Sequence, residues 1–163
     1  MIRNIIFDFD GTLVDSSRVV GQTFLSIFTK VQKNDVNDGQ LKRLKKLPVV
    51  QKFKEMGVPI YKLPNILLET KKIYASHIKD INFMEGIPEL LEKLNQAGEI
   101  DLSIVSSNSA KNIKQFLKLN KADFFSEIYS ASNLLNKGRA IVRLIKKKKL
   151  DKNNVLYVGD EDK

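Results

Sequence analysis

The stretch Ile5-Ile6-Phe7-Asp8-Phe9-Asp10-Gly11-Thr12 decides how the rest of the chain is read. An apolar run of this length, within Arg3–Phe9, has the character of a short buried strand. It ends in aspartates at positions i and i+2, which point to the same side of an extended chain. Gly11 then lets the backbone turn sharply. In an open parallel sheet, ligands collect beyond the carboxyl ends of the strands. Two carboxylates at such a rim repel each other and are costly to desolvate, so a cation is their natural partner. Ligation by oxygen alone suits a hard ion such as magnesium. An ordinary Asp-Gly turn is the competing reading, but the complete order of strand then Asp-x-Asp-Gly-Thr favours a functional site.

Outward from this strand, apolar runs at Leu102–Val105, Ile128–Tyr129 and Val155–Val158 read as further short strands. Helical patterns lie between them. Pro88–Ala97 has proline near its start, Leu90, Leu91 and Leu94 on one face, and Gly98 as a stop. Ser109 is placed to cap a helix carrying Ile113, Phe116 and Leu117. Ala140, Ile141, Leu144 and Ile145 mark another helix, which the lysines of Lys146–Lys149 close. Strands alternating with helices predict an α/β fold, with a parallel, Rossmann-like sheet covered by helices on both faces.

Residues 16–82 break this rhythm. Val20, Phe24, Ile27, Phe28 and Val31 fall at helical spacing, and a polar break follows at Asn34–Asp38. Further helical patterns occupy Leu41–Met56 and Leu63–Ile78, interrupted by Gly57, Pro59 and Pro64. The expected organisation is therefore a core of residues 1–15 and 83–163, with a small all-helical cap of residues 16–82 inserted after the first strand.

The bulk numbers agree with a soluble globular chain of 163 residues, 42% hydrophobic and 29% charged. With no cysteine, a disulfide framework and a cysteine-based metal site are both excluded. The N-terminal apolar run is too short for a signal peptide or a membrane span, so a cytoplasmic protein without membrane attachment is expected. The net charge of +9 can attract anions. The lysines are scattered apart from the run that closes a helix, so no nucleic-acid partner is expected.

Asp8-Phe9-Asp10-Gly11-Thr12-Leu13-Val14-Asp15-Ser16 resembles the first motif of the haloacid dehalogenase superfamily, in its phosphoglycolate-phosphatase-like branch. Three further motifs follow in order, so the resemblance covers nearly the whole chain. Leu102-Ser103-Ile104-Val105-Ser106-Ser107-Asn108 is similar to the second, with Ser106 at the phosphate-binding hydroxyl and Ser107 and Asn108 beside it as further phosphate-binding positions. Lys137, in Asn136-Lys137-Gly138-Arg139, resembles the phosphate-clamping lysine. Val155-Leu156-Tyr157-Val158-Gly159-Asp160 resembles the last motif, with Asp160 as a metal-binding acid. The resemblance implies a magnesium-dependent phosphatase acting on a small phosphorylated metabolite. Asp8 would be the nucleophile, forming an aspartyl-phosphate, and Asp10 the general acid and base. Thr12 would orient Asp10 and lie at the phosphate, Ser106 and Lys137 would bind phosphoryl oxygens, and Asp8, Asp10 and Asp160 would hold Mg2+.

Lys42, Arg43, Lys45, Lys46 and Lys52 of the cap are expected to be mostly solvated surface. His77 is assigned no role, and Asp15 is read as capping the helix that follows it. The last motif departs from the family pattern: a second acid is expected a few residues beyond Asp160, and neither Glu161 nor Asp162 has its spacing. The last strand and its helices are also missing from the pattern, which would leave Val155–Val158 as an exposed apolar sheet edge open to association. A sugar phosphomutase of the same superfamily, or an inactive phosphate-binding or interaction protein, are the alternatives. A dehalogenase fits less well, because Asp10 and Asp160 suit phosphate and magnesium.

Overall fold

The computed structural model describes residues 1–31, 51, 54–55, 57–131 and 137–160. The helical pattern Leu41–Met56 lies largely outside them. Asn34–Asp38, Lys42, Arg43, Lys45, Lys46, Lys52, Asn136, Glu161 and Asp162 lie wholly outside. By its internal contacts the chain divides into two compact units, Met1–Ser17 with His77–Lys163, and Arg18–Ser76.

The first unit is built on a four-stranded parallel sheet of β1 (Asn4–Phe7), β4 (Asp101–Ser106), β5 (Phe125–Ser130) and β6 (Val155–Val158), in the order β5-β4-β1-β6. A two-stranded antiparallel ribbon, β2 (Val14–Asp15) with β3 (Asn82–Phe83), stands beside it. Sequence patterning does not reveal this ribbon, because two residues are too few to show an alternation. Parallel strands covered on both faces need apolar side chains on both, and Ile5, Ile6 and Phe7 are all buried.

Three helices accompany the sheet among the described residues: α3 (Ile87–Ala97), α4 (Ala110–Leu119) and α5 (Lys137–Lys147). On one face Ile6, Val105 and Ala131 meet Ala140 and Leu144 of α5. On the other, Phe9 meets Phe116 of α4 edge to face with ring centroids 5.4 Å apart, and Phe83 packs on the same ring at 4.9 Å. Helices on both faces of a parallel sheet give the α/β Rossmann-like core expected from the sequence.

Several elements differ in detail from their sequence pattern. β5 extends well beyond Ile128–Tyr129 because its polar residues are satisfied laterally. Ser126 Oγ donates to the Leu102 carbonyl, Glu127 accepts from Lys147 Nζ at 3.0 Å, and Phe125 packs edge to face on Phe7. In α3, Leu91 is fully buried but Leu90 is 41% exposed, so the apolar stripe is narrower than its spacing suggested. Gly86 and Gly98 bound that helix in left-handed conformation, at φ 78° and 68°.

The lysine run closing α5 is engaged with the sheet. Lys147 pairs with Glu127 and lies over the Tyr129 ring, and Lys148 pairs with Asp101 and hydrogen-bonds Ser126. At the edge opposite β5, Leu156 of β6 is 44% exposed.

The second unit contains α1 (Ser17–Val31, from Arg18 onward) and α2 (Leu63–Ser76). In α1 Val19 and Thr23 are buried, while Val20 is 48% exposed. Val20 therefore lies off the buried side of the helix where Val19 and Thr23 sit. No helix among the described residues is long and apolar enough to cross a membrane.

Candidate active site

β1 delivers Asp8 to the carboxyl end of the sheet. The Asp8 N–H donates to the Val158 carbonyl at 2.8 Å, continuing the β1–β6 pairing by one residue and fixing the backbone from which the side chain projects. The Asp8 carboxylate is buried: Oδ1 accepts the Phe9 N–H at 2.7 Å and Oδ2 accepts Lys137 Nζ at 2.5 Å. Lys137, the first residue of α5, is itself buried. Two residues 129 apart in sequence thus form an ion pair largely sealed from water.

Burial, the largest influence, pushes the Asp8 carboxyl above its ordinary value. Lys137, by hydrogen bond and by charge, and the Phe9 N–H pull it back, while the negative charge of Asp160 adds to the upward push. That last influence brings Asp160 into the same site. A second sign is steric: a Cβ on Gly11 would overlap the Asp160 carboxylate. Gly11, at φ 79°, turns the chain so that its N–H meets the Val14 carbonyl at 2.9 Å. The glycine thus serves both the turn and the close approach of an acid.

Asp10 faces the loop after β4. Its Oδ2 accepts from Asn108 Nδ2 at 3.1 Å, across 98 residues of sequence. Ser106 is fully buried at the end of β4, and its Oγ accepts the Asn108 N–H at 3.0 Å, leaving its own hydrogen to donate. The Ser130 hydroxyl, at the end of β5, donates to the Asn108 carbonyl at 2.7 Å. The Ala131 N–H donates to the Ser106 carbonyl, also at 2.7 Å. These bonds tie the β4 loop to the β5 loop. Ser109 caps α4 as its sequence position suggests, accepting from the Asn112 N–H at 3.2 Å.

The Thr12 hydroxyl is buried and makes no hydrogen bond. Asn108, rather than Thr12, is the side chain seen holding Asp10. Ser107 is partly buried at the start of the same loop. Asp15 accepts both the backbone N–H and the hydroxyl of Ser17, at 3.1 and 2.6 Å, at the entry to α1. His77 is exposed and pairs with Asp80 at 3.0 Å.

Two residues escaped the sequence reading. Ser130 ends a strand whose polar face hid its extent, and Asn112 lies inside a helix, where no local pattern distinguishes it from solvated polar residues.

The donors gathered here are oxygens: the Asp8 and Asp160 carboxylates, with the Asp10 main chain between them in sequence. Such a set suits a hard divalent cation. The repulsion between Asp8 and Asp160 is the electrostatic condition that a cation relieves. Among the described residues no three acidic or histidine side chains group into a ligand set by themselves. A cation at Asp8 would accordingly draw on main-chain carbonyl oxygen and solvent as well.

Comparison with known proteins agrees with this architecture. The family model of haloacid dehalogenase-like hydrolases matches residues 5–163. A phosphoglycolate phosphatase from Synechococcus elongatus is 27% identical over 161 residues, which is 98% of this chain and 76% of that protein. A protein from Bacteroides fragilis, described as a haloacid dehalogenase-like hydrolase, superposes with a TM-score of 0.82 at 23% identity, over 99% of this chain and 80% of that one. CbbY from Rhodobacter sphaeroides, solved in complex with phosphate, superposes with a TM-score of 0.74 at 15% identity, over 96% and 77% of the two chains. The structural likenesses show a shared fold, and the family match over nearly the whole length settles the assignment: this chain belongs to the haloacid dehalogenase-like hydrolases.

Proposed function

We propose that the chain is a magnesium-dependent phosphatase that hydrolyses a small phosphate monoester through an aspartyl-phosphate on Asp8. The observation that carries the proposal is the buried carboxylate of Asp8, held between the Phe9 N–H and Lys137 Nζ at the carboxyl edge of the parallel sheet. A carboxylate fixed in this way is positioned for in-line attack on phosphorus, forming an O–P bond as the ester O–P bond breaks. Asp10, steadied by Asn108, gives its proton to the departing alkoxide oxygen. It then takes a proton from the water that attacks the aspartyl-phosphate, releasing inorganic phosphate and restoring both carboxyls.

The Lys137 ammonium carries three N–H donors, enough to hold Asp8 and a phosphoryl oxygen together. The Ser106 hydroxyl and the N–H groups at the start of α4 offer further donors to the transferring group. Positioning and electrostatics supply most of the rate in such transfers. The carboxylates of Asp8 and Asp160 and the main-chain carbonyl of Asp10 would hold Mg2+, which when bound would supply charge neutralisation between nucleophile and phosphate. The name borne by the Synechococcus relative makes phosphoglycolate and other small phosphate esters the first substrates to try. The cysteine-free composition suits a reducing, cytoplasmic setting.

The test is release of phosphate from para-nitrophenyl phosphate with and without Mg2+. Turnover is expected only with the metal and is abolished by Asp8→Asn. Turnover retained in that variant rejects Asp8 as the nucleophile.

A further inference from the structure

We infer that Asn112 is a positioning residue: its side-chain amide locks the Asn108 amide in the one orientation that holds the Asp10 carboxylate. The inference rests on the phosphatase reading for what Asp10 does, while the hydrogen-bonded chain itself is independent of it. Asn108 Oδ1 accepts two donors, the Ser109 N–H at 2.8 Å and Asn112 Nδ2 at 3.1 Å. A backbone N–H can only donate, so the Asn108 atom facing it is the oxygen. The Asn108 nitrogen is thereby turned to the opposite side, where Asp10 Oδ2 accepts from it at 3.1 Å. The direction of every bond in this chain is set by chemistry, because it ends on a carboxylate at one end and on a main-chain donor at the other.

Asn112 is an expensive choice for stability alone. It is 3% exposed on a helix whose other buried residues are Ile113, Phe116 and Leu117. A buried amide must be fully bonded to avoid a desolvation penalty. A leucine in its place would fill the site without that demand and would leave the Ser109 N–H as the only donor holding Asn108 Oδ1. The Asn108 amide would then be held on its oxygen side by one bond in place of two, and the donor facing the Asp10 carboxylate would be less firmly fixed. A misplaced general acid costs most where the leaving group most needs its proton.

The experiment compares the whole chain with Asn112→Leu and Asn112→Asp. The aspartate variant is nearly isosteric and, in the first turn of α4, suits the helix dipole, yet it presents an acceptor to Asn108 Oδ1. For both variants kcat/KM is measured with phenyl phosphate, whose phenolate leaves poorly, and with para-nitrophenyl phosphate, whose leaving group needs little protonation.

General acid catalysis contributes about 10²–10⁴-fold, so a loss of roughly tenfold or more is expected with phenyl phosphate and of about twofold or less with the nitrophenyl ester. Equal losses with both esters, or none, overturn the inference while leaving the phosphatase reading intact. That reading fails separately, through turnover by Asp8→Asn. A second measurement needs no turnover. In nitrogen–proton spectra the separation of the two Asn108 side-chain amide protons, widened beyond that of a free asparagine amide by the bond to Asp10, is expected to shrink in Asn112→Leu. An unchanged separation overturns the inference even if neither ester is hydrolysed.

Discussion

Replacing Lys137 by methionine removes the cation that faces Asp8, and the structure sets the scale of the consequence. The ammonium and carboxylate lie 2.5 Å apart with side chains 8% and 4% exposed. At an effective dielectric constant of about 20, charges at that separation attract by about 6–7 kcal/mol. Desolvation costs each ion several kcal/mol, so the intact pair contributes little net stability. A single substitution forfeits the attraction and leaves the buried carboxylate uncompensated, at a cost of about 3–5 kcal/mol. For a chain of this size that lowers the melting temperature by roughly 6–20 °C.

The sign of the pH dependence follows from the raised Asp8 carboxyl. A folded state that binds the proton more tightly than the unfolded state is favoured at low pH and loses that advantage as pH rises through the folded value. The deficit of Lys137→Met is therefore largest near neutrality and shrinks on acidification through and above the ordinary carboxylate range. The assay is denaturant unfolding, without added divalent metal, of the wild type, Lys137→Met, Asp8→Asn and the double variant. The double variant is expected within about 1 kcal/mol of wild type, since the two charges leave together. A single-variant loss below about 1 kcal/mol, or single effects that simply add in the double variant, would refute the buried-pair account.

Gly11→Ala is expected to cost about 2–3 kcal/mol, because it strains a φ of 79° and drives a Cβ into the Asp160 carboxylate; it should also abolish phosphate release, as a urea midpoint and a phosphatase assay together would reveal. Lys121 and Lys149 both sit at φ 53° just beyond helix ends, where the Ala122 N–H reaches the Leu117 carbonyl and the Leu150 N–H the Ile145 carbonyl at 2.9 Å each. Glycine at either position should stabilise by about 0.5–1 kcal/mol, and an unchanged or lower unfolding midpoint would count against that strain. Leu144→Ala, at a fully buried position of α5, should lose about 2–5 kcal/mol, whereas Val142→Ala, at a position 45% exposed, should stay within about 0.5 kcal/mol; comparable losses would mean that the α5 face is wrongly oriented.

The sheet was legible where burial on both faces forces an uninterrupted apolar run, as at Ile5–Phe7, and also at the half-buried edge strand Val155–Val158, where an apolar run persists and pairs in register with β1. Legibility failed where tertiary partners satisfy polar residues. Ser126 and Glu127 fell outside the expected strand Ile128–Tyr129 because their partners, Leu102 and Lys147, are supplied from elsewhere in the fold. The β2–β3 ribbon failed for a different reason. Its registry, Val14 against Phe83 and Asp15 against Asn82, depends on where the chain returns after a long excursion, which two-residue strands cannot encode.

The site divides along the same line. Asp8 and Asp10 were legible because their relation is local, two residues apart on an extended strand that ends at the sheet rim. Lys137 and Asp160 could be picked from a lysine-rich chain only by their order relative to that strand. Asn112 could not be picked at all, since its meaning depends on Asn108, which in turn depends on Asp10 across 98 residues. The charges brought together set a condition on the proposed chemistry. Asp8, Asp10 and Asp160 carry three formal negative charges when ionised, against one positive charge on Lys137, and the Asp8 carboxyl already registers the repulsion of Asp160. A dianionic ester would meet net negative potential at the nucleophile unless a divalent cation joined the carboxylates. The proposed phosphatase reading therefore carries with it an expected dependence on such a cation, whichever alcohol the ester carries.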